Sequence, residues 1–542
     1  MDRPWIKFYP PSVEPKIAIP TMPLFSLLKK SYEERPDCLA VVDEEVRLSY
    51  RELYAYVLSF ASSLWDAGFR RGDRCVIMLF NCKEYISTYF AVLRLGGTVV
   101  QANPLHSSEE LKRVMEDSKA EWIVTGDGEW AKVYEACKDQ PGKKLIITGS
   151  SLYGRQEALC FEEMVEKGCV GHVPEVDVDP ETDIAVFQYT GGTTGKSKAA
   201  MLTHQNILSN VCQNEHFTVK NLSKVDEKLL GVLPFYHVYG MSAVLLLGVF
   251  RGSAVICIRR FDPKRLLTTI KNEKPTLFSG VPTMYMALLQ QEEATPETMQ
   301  SLKLCMAGSA PLPKDVIRVF EEKTGAEILE GYGLSETSPT THRNPVGGLR
   351  KVGSIGIPVP NTDCRIVDPD DGDRDMPVGE VGELVIKGPQ VMKGYLKQEE
   401  ETRSALRNGW FFTGDLAYMD LDGYFFIAGR KKDLIIASGY NVYPTEVEDV
   451  LYRHPSVKEA AVYGVSDEYR GETVYASIVF YDRGSLDPAQ LKDWLKERIA
   501  SYKVPTHIDV RTSLPRSSVG KLLKAILRDE AEQNQKQKEG SR

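Results

Sequence analysis

Several common features are missing from this sequence, and each gap narrows the field. No Cys-x-x-Cys pair occurs among the ten cysteines, which run from Cys38 to Cys364 and leave the last third empty. That scatter argues against a zinc site or a disulfide framework and fits reduced, mostly buried thiols. No apolar run approaches the ~20 residues of a membrane-spanning helix. The longest, Met241 to Phe250, reads as a buried helix instead. The opening Met1-Asp-Arg-Pro-Trp-Ile-Lys lacks the apolar stretch of a signal peptide. A cytoplasmic protein is expected, with peripheral membrane contact left open. Positive charge is not in surplus: a net charge of −8 speaks against a generic nucleic-acid binder. There is no internal repeat.

What is present fits a large globular protein. A chain of 542 residues exceeds what one hydrophobic core supports, so two or more domains are expected. Hydrophobic residues at 42% and charged residues at 26% are ordinary for a globular protein. Strand-like runs such as Cys75 to Phe80, Thr98 to Gln101 and Trp122 to Thr125 alternate with helical patterns such as Tyr85 to Leu95. Alternation of this kind predicts α/β layers with largely parallel sheets. Val367 to Asp375 is a polar turn-rich insertion, and Gly379 to Lys387 and Gly423 to Ala428 read as strands of a small β subdomain. Glu446 to Arg453, Val457 to Val465, Ala476 to Tyr481 and Pro488 to Ser501 predict a compact α+β unit, with a polar tail from Glu530 expected to fray.

One stretch carries more information than any other. Tyr189-Thr-Gly-Gly-Thr-Thr-Gly-Lys-Ser-Lys198 follows a predicted buried strand, Ile184 to Gln188, and precedes a second, Lys198 to Leu202. Glycines let backbone N–H groups approach a polyanion, and threonine and lysine add donors and charge. The spacing is not that of a P-loop, because only Gly192, Thr193 and Thr194 separate Gly191 from Gly195. The next helix starts at Thr203, a plausible N-cap. The pattern predicts a strand–loop–strand phosphate clamp.

With four further segments, this loop resembles the signature of the adenylate-forming superfamily of acyl-CoA synthetases, luciferases and adenylation domains. The segments are Glu330-Gly-Tyr-Gly-Leu-Ser-Glu-Thr337, Gly409-Trp-Phe-Phe-Thr-Gly-Asp415, Gly429-Arg-Lys-Lys-Asp-Leu-Ile435 with Ser438-Gly-Tyr-Asn-Val-Tyr-Pro444, and Pro515-Arg-Ser-Ser-Val-Gly-Lys521. The resemblance implies a large N-terminal domain over residues 1–431, made of layered α/β subdomains plus the small β subdomain. It implies a smaller mobile α+β lid over 432–542. The implied chemistry is ATP-dependent activation of a carboxylic acid to acyl-AMP with magnesium, then transfer to coenzyme A.

Residue roles follow from the same resemblance. Lys521 would bridge the acid carboxylate and the α-phosphate. Glu336 and Thr190 would hold magnesium, and both count with Lys521 and His237 among the catalytic residues. Thr190, Gly191, Gly192, Thr193, Thr194 and Lys198 would clasp phosphate. Gly331, Tyr332, Gly333 and Ser335 would border adenine, with Tyr332 stacked on it. Asp415 and Arg430 would hold the ribose hydroxyls. Lys432 marks the hinge, and Ser438, Gly439 and Tyr440 would line the coenzyme A path. The acid pocket would be walled by His237, Val281, Ala307, Gly308, Ser309, Ala310, Gly331 and Gly333. Acetate-activating relatives carry tryptophan at the Gly333 position, so glycine there is read as room for a larger acid.

Within the superfamily the motifs look most like bacterial long-chain fatty acid–CoA ligases. A medium-chain or arylalkanoic acid stays open, because an apolar pocket separates neighbouring chain lengths by only ~1–3 kcal/mol. Loading of a carrier protein in place of coenzyme A also stays open, as do a monomer and a homodimer. A catalytically dead binding protein should have lost Lys521, Glu336 or Asp415, and all three are present.

Overall fold

The computed structural model describes residues 3–149, 158–190, 197–219, 227–310, 312–438, 440–467, 470–481, 487–516 and 522–540. Two large sheets form the body. One has eight strands, with Ile184–Thr190 between the antiparallel Lys198–Thr203 and the parallel Thr98–Gln101. Arg74–Met78, Trp122–Gly126, Lys144–Thr148 and Ala158–Cys160 continue it in parallel register. The other has nine strands. Leu39–Asp43, Ala254–Cys257, Lys228–Gly231, Leu277–Gly280, Leu304–Ala307 and Ile328–Gly333 pair in parallel, and the antiparallel Thr340–Arg343 follows at one side.

The parallel strands are buried on both faces, which is why they read as continuous apolar runs such as Thr98-Val-Val-Gln101. Helices Tyr50–Asp66, Lys83–Arg94 and His204–Asn214 contribute to one core that joins residues of both sheets, including Ile77, Val99, Ala200, Val255, Leu277 and Leu329. The predicted buried helix lies in this core too. Its first part, Met241–Leu246, is π-helical and continues into α-helix Leu247–Arg251, with Leu245, Leu246 and Leu247 fully buried.

A smaller antiparallel sheet, Asp363–Val367, Gly382–Lys387, Trp410–Met419 and Phe425–Arg430, is the predicted β subdomain. The N-terminal segment is part of it: Trp5 packs on Phe425 edge-on at 5.8 Å, and Arg3 pairs with Asp363 at 2.5 Å. The C-terminal unit is built on the long pair Val457–Asp467 and Gly471–Phe480, with Ile435–Ala437, Tyr440–Val442 and His507–Val510 alongside. Its apolar cluster, from Ile435 to Ile508, contains no residue of the preceding sheets.

The tail departs from expectation. Rather than fraying from Glu530, it continues helix Lys524–Gly540. The buried Leu527 and the neighbouring Ala531 pack on Tyr463, Val465 and Leu514, and Glu530 pairs with Arg511 at 2.6 Å. Composition alone hid these contacts, because two small apolar positions suffice to seat the helix. Among the described residues no helix is long and apolar enough to cross a membrane.

Candidate active site

The phosphate-clamp strands meet as predicted, with Thr190 opposite Lys198 and Gln188 opposite Ala200. The Ser197 hydroxyl donates to the Thr190 carbonyl at 2.7 Å and so closes the mouth of the loop. Gly191, Gly192, Thr193 and Thr194 lie outside the described residues. The Thr203 hydroxyl accepts from the Asn206 N–H, and the Asn206 side chain answers the Thr203 N–H, so the capping box fixes where the strand ends and the helix begins. Gln188, almost fully buried, donates to the Tyr236 carbonyl at 3.2 Å and ties this strand to the turn bearing His237.

Lys198 is held by two residues that the sequence did not single out. Its ammonium lies 5.4 Å from the centre of the Tyr395 ring and ion-pairs with Glu401. Tyr395 sits on the two-residue strand Gly394–Tyr395, paired with Ala200, and donates its hydroxyl to Glu336 Oε1 at 2.8 Å. Burial, and then the Glu336 carboxylate, push the Tyr395 hydroxyl well above its ordinary range, so it stays a donor. Glu336 itself occupies the short 3₁₀ turn Ser335–Thr337, whose backbone is pinned by the Met392 N–H on the Glu336 carbonyl at 2.8 Å. One chain of contacts therefore joins Lys198, Tyr395 and Glu336.

Asp415 is the hub on the other side. Its carboxylate is 4% exposed, accepts the Tyr332 hydroxyl at 2.5 Å and meets Arg430 Nε at 3.1 Å. Asp415 and Arg430 face one another directly across two antiparallel strands, which fixes their separation by sheet register. Burial and the Asp415 charge raise the Tyr332 hydroxyl far above its usual value. The Tyr332 ring, edge-on to His342 at 6.0 Å, is thus anchored by its hydroxyl on the same carboxylate assigned to ribose. Arg430 feels Asp415 most strongly and Glu336 as well. Lys432, in the turn Lys431–Asp433, is pushed below its ordinary value by burial first, then by the Arg430 charge, with Lys198 adding to the effect. Three cations therefore share one electrostatic neighbourhood around Asp415.

Glu330, which opens the same motif, accepts the Gly353 N–H at 2.8 Å, and burial raises its carboxyl to about 7. The folded chain then holds this proton between its ordinary value of 4.5 and about 7, where the unfolded chain has lost it. Stability from this group is present below that window and is lost as pH rises through it. The melting temperature of the wild type is expected to fall by a few degrees more than that of Glu330→Gln between about pH 5 and 8. Parallel melting profiles for the two proteins would contradict the assignment.

The residues assigned to the acid pocket are placed as follows, and the reading of one of them is corrected. His237 caps the turn Val238–Gly240, its Nδ1 accepting the Tyr239 N–H at 3.3 Å. Val281 and Ala307 are buried, Gly308 donates its N–H to the Gly280 carbonyl at 3.3 Å, and Ser309 takes a left-handed φ of 71° before Ala310. A Cβ on Gly308 would stand 3.1 Å from the Tyr239 ring, so this buried tyrosine belongs to the wall and was not anticipated. Gly333 does not hold a space open. A Cβ there would lie 2.1 Å from the Pro339 carbonyl oxygen, so glycine is required by close backbone approach, and the argument for a larger acid loses its support at this residue.

The C-terminal residues stand elsewhere. Ser438 donates its N–H to the Arg470 carbonyl at 2.8 Å, and Tyr440 is 55% exposed and stacked on Tyr502 at 4.5 Å. They are not brought to Asp415 in this arrangement. Gly439 and Lys521 lie outside the described residues. The flanks of the latter are fixed by a bridge between Arg516 and Leu522 and by the Leu523 N–H on the Pro515 carbonyl at 2.9 Å.

Comparison with known proteins agrees with this geometry. The chain is 40% identical to a long-chain-fatty-acid–CoA ligase of Bacillus subtilis, over 98% of this chain and 99% of that protein. It is 35% identical to a feruloyl-CoA synthase of an Amycolatopsis species, over 91% and 96%. The crystal structure of ATP-bound MatB from Rhodopseudomonas palustris superposes with a TM-score of 0.86 at 32% identity, covering 94% of this chain and 99% of that one. Residues 28–396 match the AMP-binding enzyme family and residues 446–521 match the AMP-binding enzyme C-terminal domain. The Ile184–Thr190 and Lys198–Thr203 hairpin, with a carboxylate hub and three cations, is thus found on a chain that belongs to the AMP-binding enzyme family.

Proposed function

We propose that this chain is an AMP-forming acid–CoA ligase whose substrate is a fatty acid, with a long chain as the first choice. The observation that carries the reaction is the gathering of Lys198, Arg430 and Lys432 around Asp415 and Glu336, where burial first and then the Arg430 charge lower the Lys432 pKa. Cations that can exchange their carboxylate partners suit a polyphosphate, and Asp415 adds an acceptor for sugar hydroxyls.

A carboxylate resists direct attack because its leaving group would be oxide. Its oxygen instead attacks the α-phosphorus of ATP, forming the acyl–phosphate bond as the α–β bridge breaks and pyrophosphate leaves. The coenzyme A sulfur then attacks the acyl carbon, the bond to AMP breaks, and the thiol proton is released. No protein nucleophile is consumed in either step. Lys198 would leave Glu401 for phosphate, while Asp415 and Arg430 take the ribose and His237 positions the acid. Glu336 and Thr190 offer one carboxylate and one hydroxyl, a hard donor pair that fits magnesium arriving on the phosphates. Among the described residues no cluster of three metal-binding side chains is found. Bound there, magnesium would offset phosphate charge. Residues 1–431 would bind ATP and the acid, and 432–542 would act as the lid.

The long-chain assignment is supported by the Bacillus subtilis similarity, and an aryl acid is the second reading, supported by the feruloyl-CoA synthase similarity. Pyrophosphate release with ATP and magnesium is the test, across alkanoic acids from short to long and cinnamates, with and without coenzyme A. Coenzyme A-dependent turnover that peaks with long acids is expected. A peak at cinnamates would replace the acid but keep the mechanism, and adenylate without thioester would point to a carrier-protein acceptor.

A further inference from the structure

Among the described residues two arginines are almost completely buried, Arg251 at 2% exposure and Arg343 at 3%. Their surroundings differ. Arg251 donates from Nη1 to Glu215 Oε2 at 2.6 Å, so its charge is balanced in place. Arg343 donates from Nη1 to a neutral group, the Thr218 hydroxyl, at 2.7 Å. No carboxylate among the described residues acts on it; burial lowers its pKa, and the one ionisable neighbour acting on it is Tyr239. A guanidinium has five N–H donors, and a buried charge without an anionic partner is costly. Among the described residues, folding alone gives no reason to place one here.

The position supplies the reason. Arg343 ends the strand Thr340–Arg343 and lies directly opposite Gly331 on Ile328–Gly333. Opposed residues share a face of the sheet. A Cβ on Gly331 would stand 3.4 Å from Arg343 Nε, so the side chain crosses the surface that this glycine leaves bare. Tyr239 faces the same region, its hydroxyl hydrogen-bonded with Ser279 and its ring against Gly308. Gly331, Gly308 and Tyr239 belong to the acid pocket. Gly333, two residues along the strand, adjoins the turn of Glu336, and a strand rises ~3.3 Å per residue. Gly331, the residue opposite Arg343, is therefore about 7 Å along the strand from Gly333.

We propose that Arg343 is a specificity-determining residue, and that the preferred acid carries a second oxygen acceptor, a carboxylate or a hydroxyl, which pairs with this guanidinium inside the pocket. The proposal rests on the acid–CoA ligase reading and narrows its substrate class. A plain alkyl chain would lay methylenes against an unpaired charge at this depth. A site built to pair with an oxygen discriminates strongly against a ligand that lacks it, because the buried donors are then left unmatched.

The test uses the full-length protein with ATP, magnesium and coenzyme A, and acids in matched pairs. Each pair has the same length, one member methyl-ended and the other bearing a terminal carboxylate or a hydroxyl; a cinnamate pair with and without a ring hydroxyl is included. The oxygenated member is expected to show a kcat/KM higher by about 100-fold or more, and the carboxylate and hydroxyl arms identify the acceptor. In Arg343→Met that ratio is expected to invert, with Arg343→Lys retaining part of it. A wild-type ratio at or below one in every pair overturns the proposal, as does an equal loss for both members in Arg343→Met. Should the variant fail to fold, the wild-type pairs still decide. Absence of pyrophosphate release with every acid would instead overturn the ligase reading, and the two failures are thereby distinct.

Discussion

Lys521→Ala is expected to lower acyl-adenylate formation by about two orders of magnitude or more, while thioester formation from supplied acyl-adenylate continues largely unchanged. The first step brings two anions into bonding contact, the acid carboxylate and the α-phosphate. Lys198, Arg430 and Lys432 gather around Asp415 and are the residues proposed to meet the nucleotide. None of them is required to span the gap between nucleotide and acid, which needs a cation approaching from another element. The sequence assigns that cation to Lys521, in the C-terminal segment. Arg516 is anchored on Glu459 at 2.8 Å and bridged to Leu522, which fixes the two described flanks of that segment. Loss of one preorganised donor of this kind removes roughly 3 kcal/mol of transition-state stabilisation. Thioester formation starts from an adenylate whose carboxylate charge has already been lost, and so does not need that bridge. Single-turnover assays of the two steps separate the outcomes. An equal loss in both would refute the role.

Much of this site could be read from the sequence because its parts are local. The strand–loop–strand clamp is encoded by apolar runs ending in glycine and threonine, and Thr203 with Asn206 marks the helix start through a capping box. Asp415 and Arg430 could be placed near ribose from their motifs, and sheet register makes them partners. What escaped depends on distant chain. Tyr395 and Glu401 hold Lys198 from a two-residue strand and a short helix that carry no periodic signal, nearly two hundred residues away along the sequence. Tyr239 entered the pocket wall only once Gly308 was seen against its ring. Gly333 shows the opposite error. Its glycine was read as an absent side chain facing the substrate, whereas the Pro339 backbone occupies the place a Cβ would take. A sequence shows that a side chain is missing but not which neighbour fills the space. The apolar run from Met241 predicted a buried helix correctly, yet the wider π-helical winding of its first part is set by packing rather than by residue type.

Lys432→Pro is expected to produce the reverse of the Lys521 result, sparing adenylate formation and lowering the thioester step by about tenfold or more. Lys432 lies in the 3₁₀ turn Lys431–Asp433, between the last strand of the β subdomain and the first strand of the C-terminal sheet. The apolar cluster beyond this turn is separate from those before it, so few packed side chains oppose a rotation here. The Thr445 hydroxyl on the Ala428 carbonyl is one contact that such a rotation would have to exchange. Proline fixes φ near −65°, close to the value of a 3₁₀ turn, and so removes the freedom of Lys432 to rotate. The variant should therefore keep the present arrangement and resist any other. In that arrangement Ser438 and the exposed Tyr440 stand away from Asp415, although they are the residues assigned to the coenzyme A path. If they must reach the acyl-adenylate, stiffening this turn blocks the second step alone. Lys432→Ala is the control, since it removes the charge that Arg430 and Lys198 oppose but leaves the backbone free. A proline variant with an unchanged thioester rate would remove the hinge assignment, and an alanine variant as slow as proline would assign the defect to charge rather than to rotation.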